Sequence, residues 1–250
     1  MASTLHSMSA DWDLKTVPQL NISPTRSRAN LAIWTQALAN RIVFDTTVPN
    51  EGDILLTGAQ YNENGGNSTV RARMKVIIST GTFHSPKILE LSGIGDANIL
   101  RSLGIDVVID DPHVGENLQT YSYCTMAFEA QNQEGFHTMD DPMRQRALPP
   151  SRLQYHPVRD EIHLPSTNNI LNPDEARDLV RQKAVAAHHY SGACSMVPRE
   201  LGGVVDEQLR VYGCKNLRVC GFSVAPLMTQ CNRQATVLAE HGAHIIKSSS

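Results

Sequence analysis

Fifteen residues, Gly81-Thr82-Phe83-His84-Ser85-Pro86-Lys87-Ile88-Leu89-Glu90-Leu91-Ser92-Gly93-Ile94-Gly95, hold the types and spacing best suited to chemistry in this 250-residue chain. They follow a short apolar run, Val76-Ile77-Ile78-Ser79, which reads as a buried strand too short for a helix. Glycine at 81 lets the backbone turn sharply and come close to a ligand, because it carries no Cβ. Ser85-Pro86 then reads as a helix start, with a hydroxyl able to cap it and proline suited to the first helical position. Strand, glycine turn and helix together aim backbone N–H groups and the positive end of a helix dipole at whatever sits over the strand end. The segment is a candidate cofactor edge. An ordinary strand–turn–helix of an α/β domain explains the same shape, but not the repeated glycines and serines.

Other chemistry-bearing groups point less sharply. His188-His189 and His241-x-x-His244 suggest a metal, and a pair at i and i+3 on a helix can reach one ion. No cysteine or carboxylate stands at a ligand spacing, so a packed or exposed pair is the better reading and no metal is expected. Cys124, Cys194, Cys214, Cys220 and Cys231 are odd in number and lack metal-type spacing; they read as free buried thiols.

The elements that must position these residues sort coarsely. Residues 30–82 predict three or four strands, with 54–61 and 69–80 paired through the Asn64-Gly65-Gly66-Asn67 turn. Helices are expected near 85–92 and 96–103, and a strand at 105–109. Residues 110–180 read as mostly irregular, since Pro142, Pro149, Pro150, Pro157 and Pro165 interrupt them. Pro173-Asp174 opens a helix expected to run near 173–187. Short strands follow over 204–224, then a last helix from Thr236 to Lys247 with Val237, Leu238, His241, His244 and Ile245 at helical spacings. The fold class is α/β, or α+β.

Composition allows a sizeable core, at 41% hydrophobic and 19% charged residues. A net charge of −3 argues against a nucleic-acid-binding face. No apolar run reaches the length of a membrane span, so no membrane partner is expected.

The Gly81–Gly95 stretch closely resembles the second signature of the glucose-methanol-choline (GMC) flavin-dependent oxidoreductases. Gly81, Thr82, Ser85, Pro86, Ile88, Leu89, Ser92, Gly93, Ile94 and Gly95 fill its constrained positions. The resemblance extends upstream, where Asn30 to Thr35 and Ala39 to Phe44 look like the family's paired strands. Downstream, Val114-Gly115-Glu116-Asn117-Leu118-Gln119 matches, but Thr120-Tyr121 stands where the family usually has Asp-His. A third block, His189-Tyr190-Ser191-Gly192-Ala193-Cys194-Ser195-Met196, is similar to the one that begins with the family's catalytic histidine. Asn232 follows at the mouth of the last helix.

The resemblance implies FAD as cofactor and a small-molecule alcohol as substrate, in a biosynthetic pathway for a small metabolite as is common in the family. Oxidising an alcohol requires a hydride acceptor and a base for the hydroxyl proton, and imidazole, with an ordinary pKa near 6.5, suits the second task. Carried over residue by residue, His189 is the base and Asn232 its partner on the alcohol oxygen; His188 is the bystander. The cofactor-binding positions are Ala39, Gly81, Thr82, Ser85, Gly221, Phe222, Arg233 and Gln234. Without the surrounding block, His189 reads as a core or surface histidine.

Three departures shape the expectation. No Gly-x-Gly-x-x-Gly occurs in the sequence, although the family opens with a βαβ unit that carries it. Between Gln119 and His189 the proline-rich stretch replaces most of the family's substrate domain. Gly221 stands where an aspartate usually lies beside the flavin. The chain is therefore expected to be a truncated member: residues 1–119 a partial flavin-binding domain, 120–185 a shortened substrate-domain remnant, and 186–250 a C-terminal block with the catalytic pair. Two functions stay open. One is FAD-dependent alcohol oxidation; the other is a non-redox or degenerate paralogue, a partner subunit or proton-transfer catalyst, without tightly bound FAD. An uncovered cofactor face would favour a homo-oligomer or a partner chain. Met1 to Lys15 lacks the apolar centre of a secretory signal, so a cytoplasmic location is the default, although many family members are secreted.

Overall fold

The computed structural model describes residues 28–45, 52–63, 65–123, 172–228 and 231–248, without the side chains of residues 175 and 231–236. The described residues of Met1–Tyr121 and His188–Ser250 form one compact unit, and those of Ser122–Ala187 a second.

In the first unit, β1 (Ala37–Phe44), β2 (Leu56–Glu63) and β3 (Gly66–Arg71) make an antiparallel meander. The β2–β3 hairpin is tighter than the sequence suggests: pairing continues to Glu63 opposite Gly66, because Gly65 supplies a left-handed turn (φ +81°). Residues 31–34 form no strand, and the partner of β1 is β2. Strand β4 (Val76–Ile78) runs parallel to β9 (Leu217–Val219), and β5 (Ile94–Gly95) parallel to β6 (Ile109–Asp110). Strands β4 and β5 are joined through helix α1 (Gly81–Leu91), and helix α2 (Ala97–Ser102) stands between β5 and β6. Short parallel strands connected through helices give the α/β class. The strand expected at 105–109 is reduced to Ile109–Asp110, because residues 105–107 find no ladder partner.

Helix α2 starts as its sequence dictates: the Asp96 carboxylate accepts from the N–H groups of Asn98 (2.7 Å) and Ile99 (3.1 Å). Beneath these elements Leu56, Leu89, Ile94, Val204, Val211, Leu217 and Val219 are buried together in one core. A last helix, α4 (Cys231–Ser248), begins five residues earlier than the apolar spacing suggests.

In the second unit, α3 (Pro173–Lys183) is capped by Asn172, whose side-chain Oδ1 accepts from the Asp174 N–H at 2.9 Å. It ends at Lys183 rather than near 187, because Val185–Ser191 forms strand β8, paired with β7 (Gln119–Tyr123). The reading of 110–180 as mostly irregular therefore missed β7; residues 124–171 lie outside the described residues.

Candidate functional site

The candidate cofactor edge is the step from β4 through Gly81 into α1. Gly81 is exposed at φ +84°, a conformation that favours glycine, and an added Cβ would meet nothing within 4 Å. The helix starts at Gly81, not at Ser85. Thr80 gives it no side-chain cap, so its first N–H groups are not satisfied by a side chain. Ser85, expected to cap the helix and to touch a cofactor, is fully buried, its hydroxyl 3.3 Å from that of Thr80. The earlier start puts Ser85 a full turn inside, on the packed stripe with Thr82, Pro86 and Leu89. Pro86 accordingly sits in the helix interior, where the N–H it lacks would have met the Thr82 carbonyl.

Beside this edge lies a small cleft lined by Ala39, Ala59, Val70, Val76, Ile78 and Thr80 among others. Ala39 is half-buried at an irregularity of β1, where pairing steps from Ala39–Tyr61 to Arg41–Gln60. Lys75 also lines the cleft and donates from Nζ to the Ile246 carbonyl at 2.6 Å, fastening the end of α4.

His189 lies on β8, half-buried, its ring stacked on that of Tyr121 with centroids 5.4 Å apart and planes 9° from parallel. Among the described residues neither of its ring nitrogens has a hydrogen-bond partner. His188, by contrast, is exposed and left-handed (φ +57°), with Nδ1 3.3 Å from the Tyr190 hydroxyl. Tyr190 meets the cofactor edge directly: its carbonyl accepts from Thr82 Oγ1 at 2.8 Å, and its ring lies edge-on to Phe83 at 4.6 Å. One residue on, the buried Ser191 hydroxyl donates to Met228 Sδ at 2.9 Å.

A polar network then holds residues 226–228, which precede α4 in the sequence. Asn117 Nδ2 donates to Ser195 Oγ (2.8 Å) and to the Pro226 carbonyl (3.1 Å). Gln119 Nε2 donates to Asn117 Oδ1 (2.6 Å) and to the same carbonyl (2.9 Å), and its oxygen accepts from the Met228 N–H (3.1 Å). Gly192 (φ +88°) permits this closeness, since a Cβ there would fall 2.3 Å from the Asn117 carbonyl oxygen. None of Asn117, Gln119, Ser195 or Tyr121 was singled out as a site residue in the sequence. The polar run 116–119 and the departure at Thr120-Tyr121 were the available signals.

The remaining candidates divide. Phe222 is half-buried in a 3-10 turn, Phe222–Val224. Gly221 is in ordinary extended backbone with open space where a Cβ would stand. Asn232, Arg233 and Gln234 fall in the first turns of α4, and their side chains lie outside the described residues, as does Cys124. Burial pushes the Cys194 thiol up to about 12; the adjacent Ser223 hydroxyl opposes this, and Glu90 and Asp111 add to it. Cys214 is pushed to about 12 by burial, helped by Asp53. Cys194, Cys214 and Cys220 are free thiols. No cluster of His, Cys, Asp or Glu able to hold a metal occurs among the described residues, and no helix of theirs is long and apolar enough to cross a membrane.

Two family models, both describing GMC oxidoreductases, match residues 16–122 and 120–240. The chain belongs to the GMC oxidoreductase family. A GMC oxidoreductase family protein of Malassezia sympodialis, Mala s 12, is 26% identical over 90% of this chain and 57% of its own length. Human mitochondrial choline dehydrogenase is 25% identical over 90% of this chain and 55% of its own. An FAD-dependent oxidoreductase from Chaetomium thermophilum shares the fold at a TM-score of 0.68 and 18% identity, over 93% of this chain and 64% of that one. The chain thus spans a little over half the length of the curated relatives it matches. The match to the Malassezia protein runs over 356 positions although this chain has 250 residues, so that relative carries internal segments that this chain lacks.

FAD is the cofactor of the family, and the residues fit it in part. The cleft at Ala39 is walled by apolar side chains such as Ala59, Val70, Val76 and Ile78, with Arg41 and Lys75 also on its lining. Gly81 and the uncapped start of α1 offer backbone donors with room for a ligand. A glycine-rich turn for the pyrophosphate is not found in this sequence.

Proposed function

We propose that the protein is an FAD-dependent oxidoreductase that converts an alcohol to a carbonyl compound, with His189 as base and Asn232 holding the alcohol oxygen. FAD, when bound, supplies the acceptor for the hydride that leaves the carbinol carbon. The chain supplies the rest. His189 takes the hydroxyl proton on a ring nitrogen as the C=O bond forms. Ala39, Gly81 and the N-terminus of α1 would hold the adenosine side of the cofactor, and the first turn of α4 (Arg233, Gln234) would face the flavin side. One observation carries this reading: the histidine strand is fastened on one side to the cofactor edge, through Thr82 and Tyr190. On the other it is fastened to the loop before Asn232, through Ser191 and Met228. Choline, the alcohol in the name of the human relative, is a fair first substrate to try.

The second reading, a relative without tightly bound FAD, concerns these 250 residues taken by themselves, which hold no Gly-x-Gly-x-x-Gly. Each lost hydrogen bond to a charged group weakens binding by about 1.5–3 kcal/mol, so two or three lost bonds cost a factor of hundreds or more. Titration of the purified chain with FAD, followed by flavin fluorescence, tests both readings. Binding weaker than micromolar, saturating with one FAD per chain, is expected. Submicromolar affinity would show that the turn is dispensable, and no binding at any concentration would remove the redox reading.

A further inference from the structure

General bases in enzymes are usually oriented by a hydrogen bond from a third group to the nitrogen that does not react. His189 has no such bond among the described residues; its one ring contact there is the near-parallel face of Tyr121, 5.4 Å away. We infer that Tyr121 is the positioning residue for His189, replacing the usual hydrogen-bonding orienter with an aromatic face. This rests on the reading of His189 as the base.

Three observations support the inference. The two rings sit on paired strands, β7 and β8, so their spacing is fixed by backbone rather than by a mobile loop. The foot of β7 is locked by the Asn117–Gln119–Pro226 network. The neighbouring imidazole, His188, is held differently, through Nδ1 near the Tyr190 hydroxyl, and is exposed. A stacked ring restricts the turning of an imidazole without occupying either nitrogen, so one of them stays available to bind the alcohol hydroxyl. The hydroxyl of Tyr121 takes no part in this role; its ring does.

The test starts with the wild-type chain. Proton–carbon NMR spectra, with His189 assigned by its loss in His189→Gln, should show His189 ring protons moved upfield by the tyrosine face. Tyr121→Phe should keep that shift and Tyr121→Leu should abolish it. With saturating FAD and choline or benzyl alcohol as the probe, kcat should fall about tenfold in Tyr121→Leu and stay within about twofold in Tyr121→Phe, with KM unchanged. An unshifted His189 signal in the wild type overturns the inference without needing any variant, and leaves the base reading intact. Equal losses in Phe and Leu variants also overturn it, since they would assign the effect to the hydroxyl. If His189→Ala retains full turnover, it is the base reading that fails, and the positioning role falls with it.

Discussion

The Gly81–Gly95 segment and the His189 strand carry the two best-marked motifs of the molecule, yet their side chains do opposite things. In the first, the patterned residues turn inward. Ser85 is fully buried against Thr80, and the Ser92 hydroxyl accepts from the Ile42 N–H (2.8 Å) while donating to the Ile88 carbonyl (2.5 Å). In the second, the backbone and the small residues are locked, through Gly192, Ser195 and Cys194, while the imidazole at the head of the block has no hydrogen-bond partner among the described residues. The patterned side chains of the first segment build scaffold beyond Gly81, whereas in the second the backbone and small residues do so and the imidazole is left half-buried on its strand. The comparison divides the expected effects of substitution: changes in the first segment should cost stability, and changes at His189 should cost turnover.

The largest effect should fall on turnover. His189→Ala should lower kcat on an alcohol by about 10²–10⁴-fold with little change in unfolding midpoint, the usual weight of a general base. His188→Ala, at an exposed ring on the same strand, should change kcat far less; steady-state kinetics with excess FAD distinguish the two. Equal losses would place the register one residue off.

Ser92→Ala should act on stability instead. It leaves the buried Ile42 N–H without its acceptor, a cost of about 1–3 kcal/mol, readable as a lower urea midpoint with unchanged KM. A Ser92 variant that unfolds normally but loses activity would blur the division between scaffold and site.

The buried thiols give a pH dependence with a definite sign. Folded Cys194 and Cys214 hold their protons to about pH 12, against an ordinary value of 9.0. The unfolded chain ionises first, so stability is full below about pH 9 and declines as pH rises toward 12. Each thiol contributes roughly 1.4 kcal/mol per pH unit in that window. Urea midpoints measured at stepwise higher pH should fall accordingly, and Cys194→Ala should flatten the decline.

The smallest effect is expected at Gly221. Its backbone is extended and its Cβ position is open, so Gly221→Asp should shift stability by no more than about 0.5 kcal/mol. A large loss in a thermal melt would mean that this strand end is more crowded than it looks.

Much of the scaffold was legible because its signals are local. Val76-Ile77-Ile78 before a glycine, Asp96 ahead of α2, and Asn172-Pro173 ahead of α3 each state their element within a few residues. The start of α1 was misjudged because Ser85-Pro86 looks like a cap until Gly81 takes the turn four residues sooner. Strand β7, Gln119-Thr120-Tyr121-Ser122-Tyr123, was missed because its polar and aromatic residues form no apolar run and its partner strand begins only at Val185. The Tyr121–His189 stack and the Asn117–Ser195 bond join residues far apart in sequence, and no local spacing encodes them.

Flavin reduction under anaerobic conditions tests the central proposal most directly. The folded chain, mixed with FAD well above its dissociation constant and then with alcohol, should bleach the visible flavin absorbance, and His189→Ala should slow that bleaching by at least about a hundredfold. A folded wild-type chain that binds FAD and leaves the absorbance unchanged across a panel including choline and benzyl alcohol, or a His189→Ala chain that bleaches it as fast as wild type, would contradict the proposal.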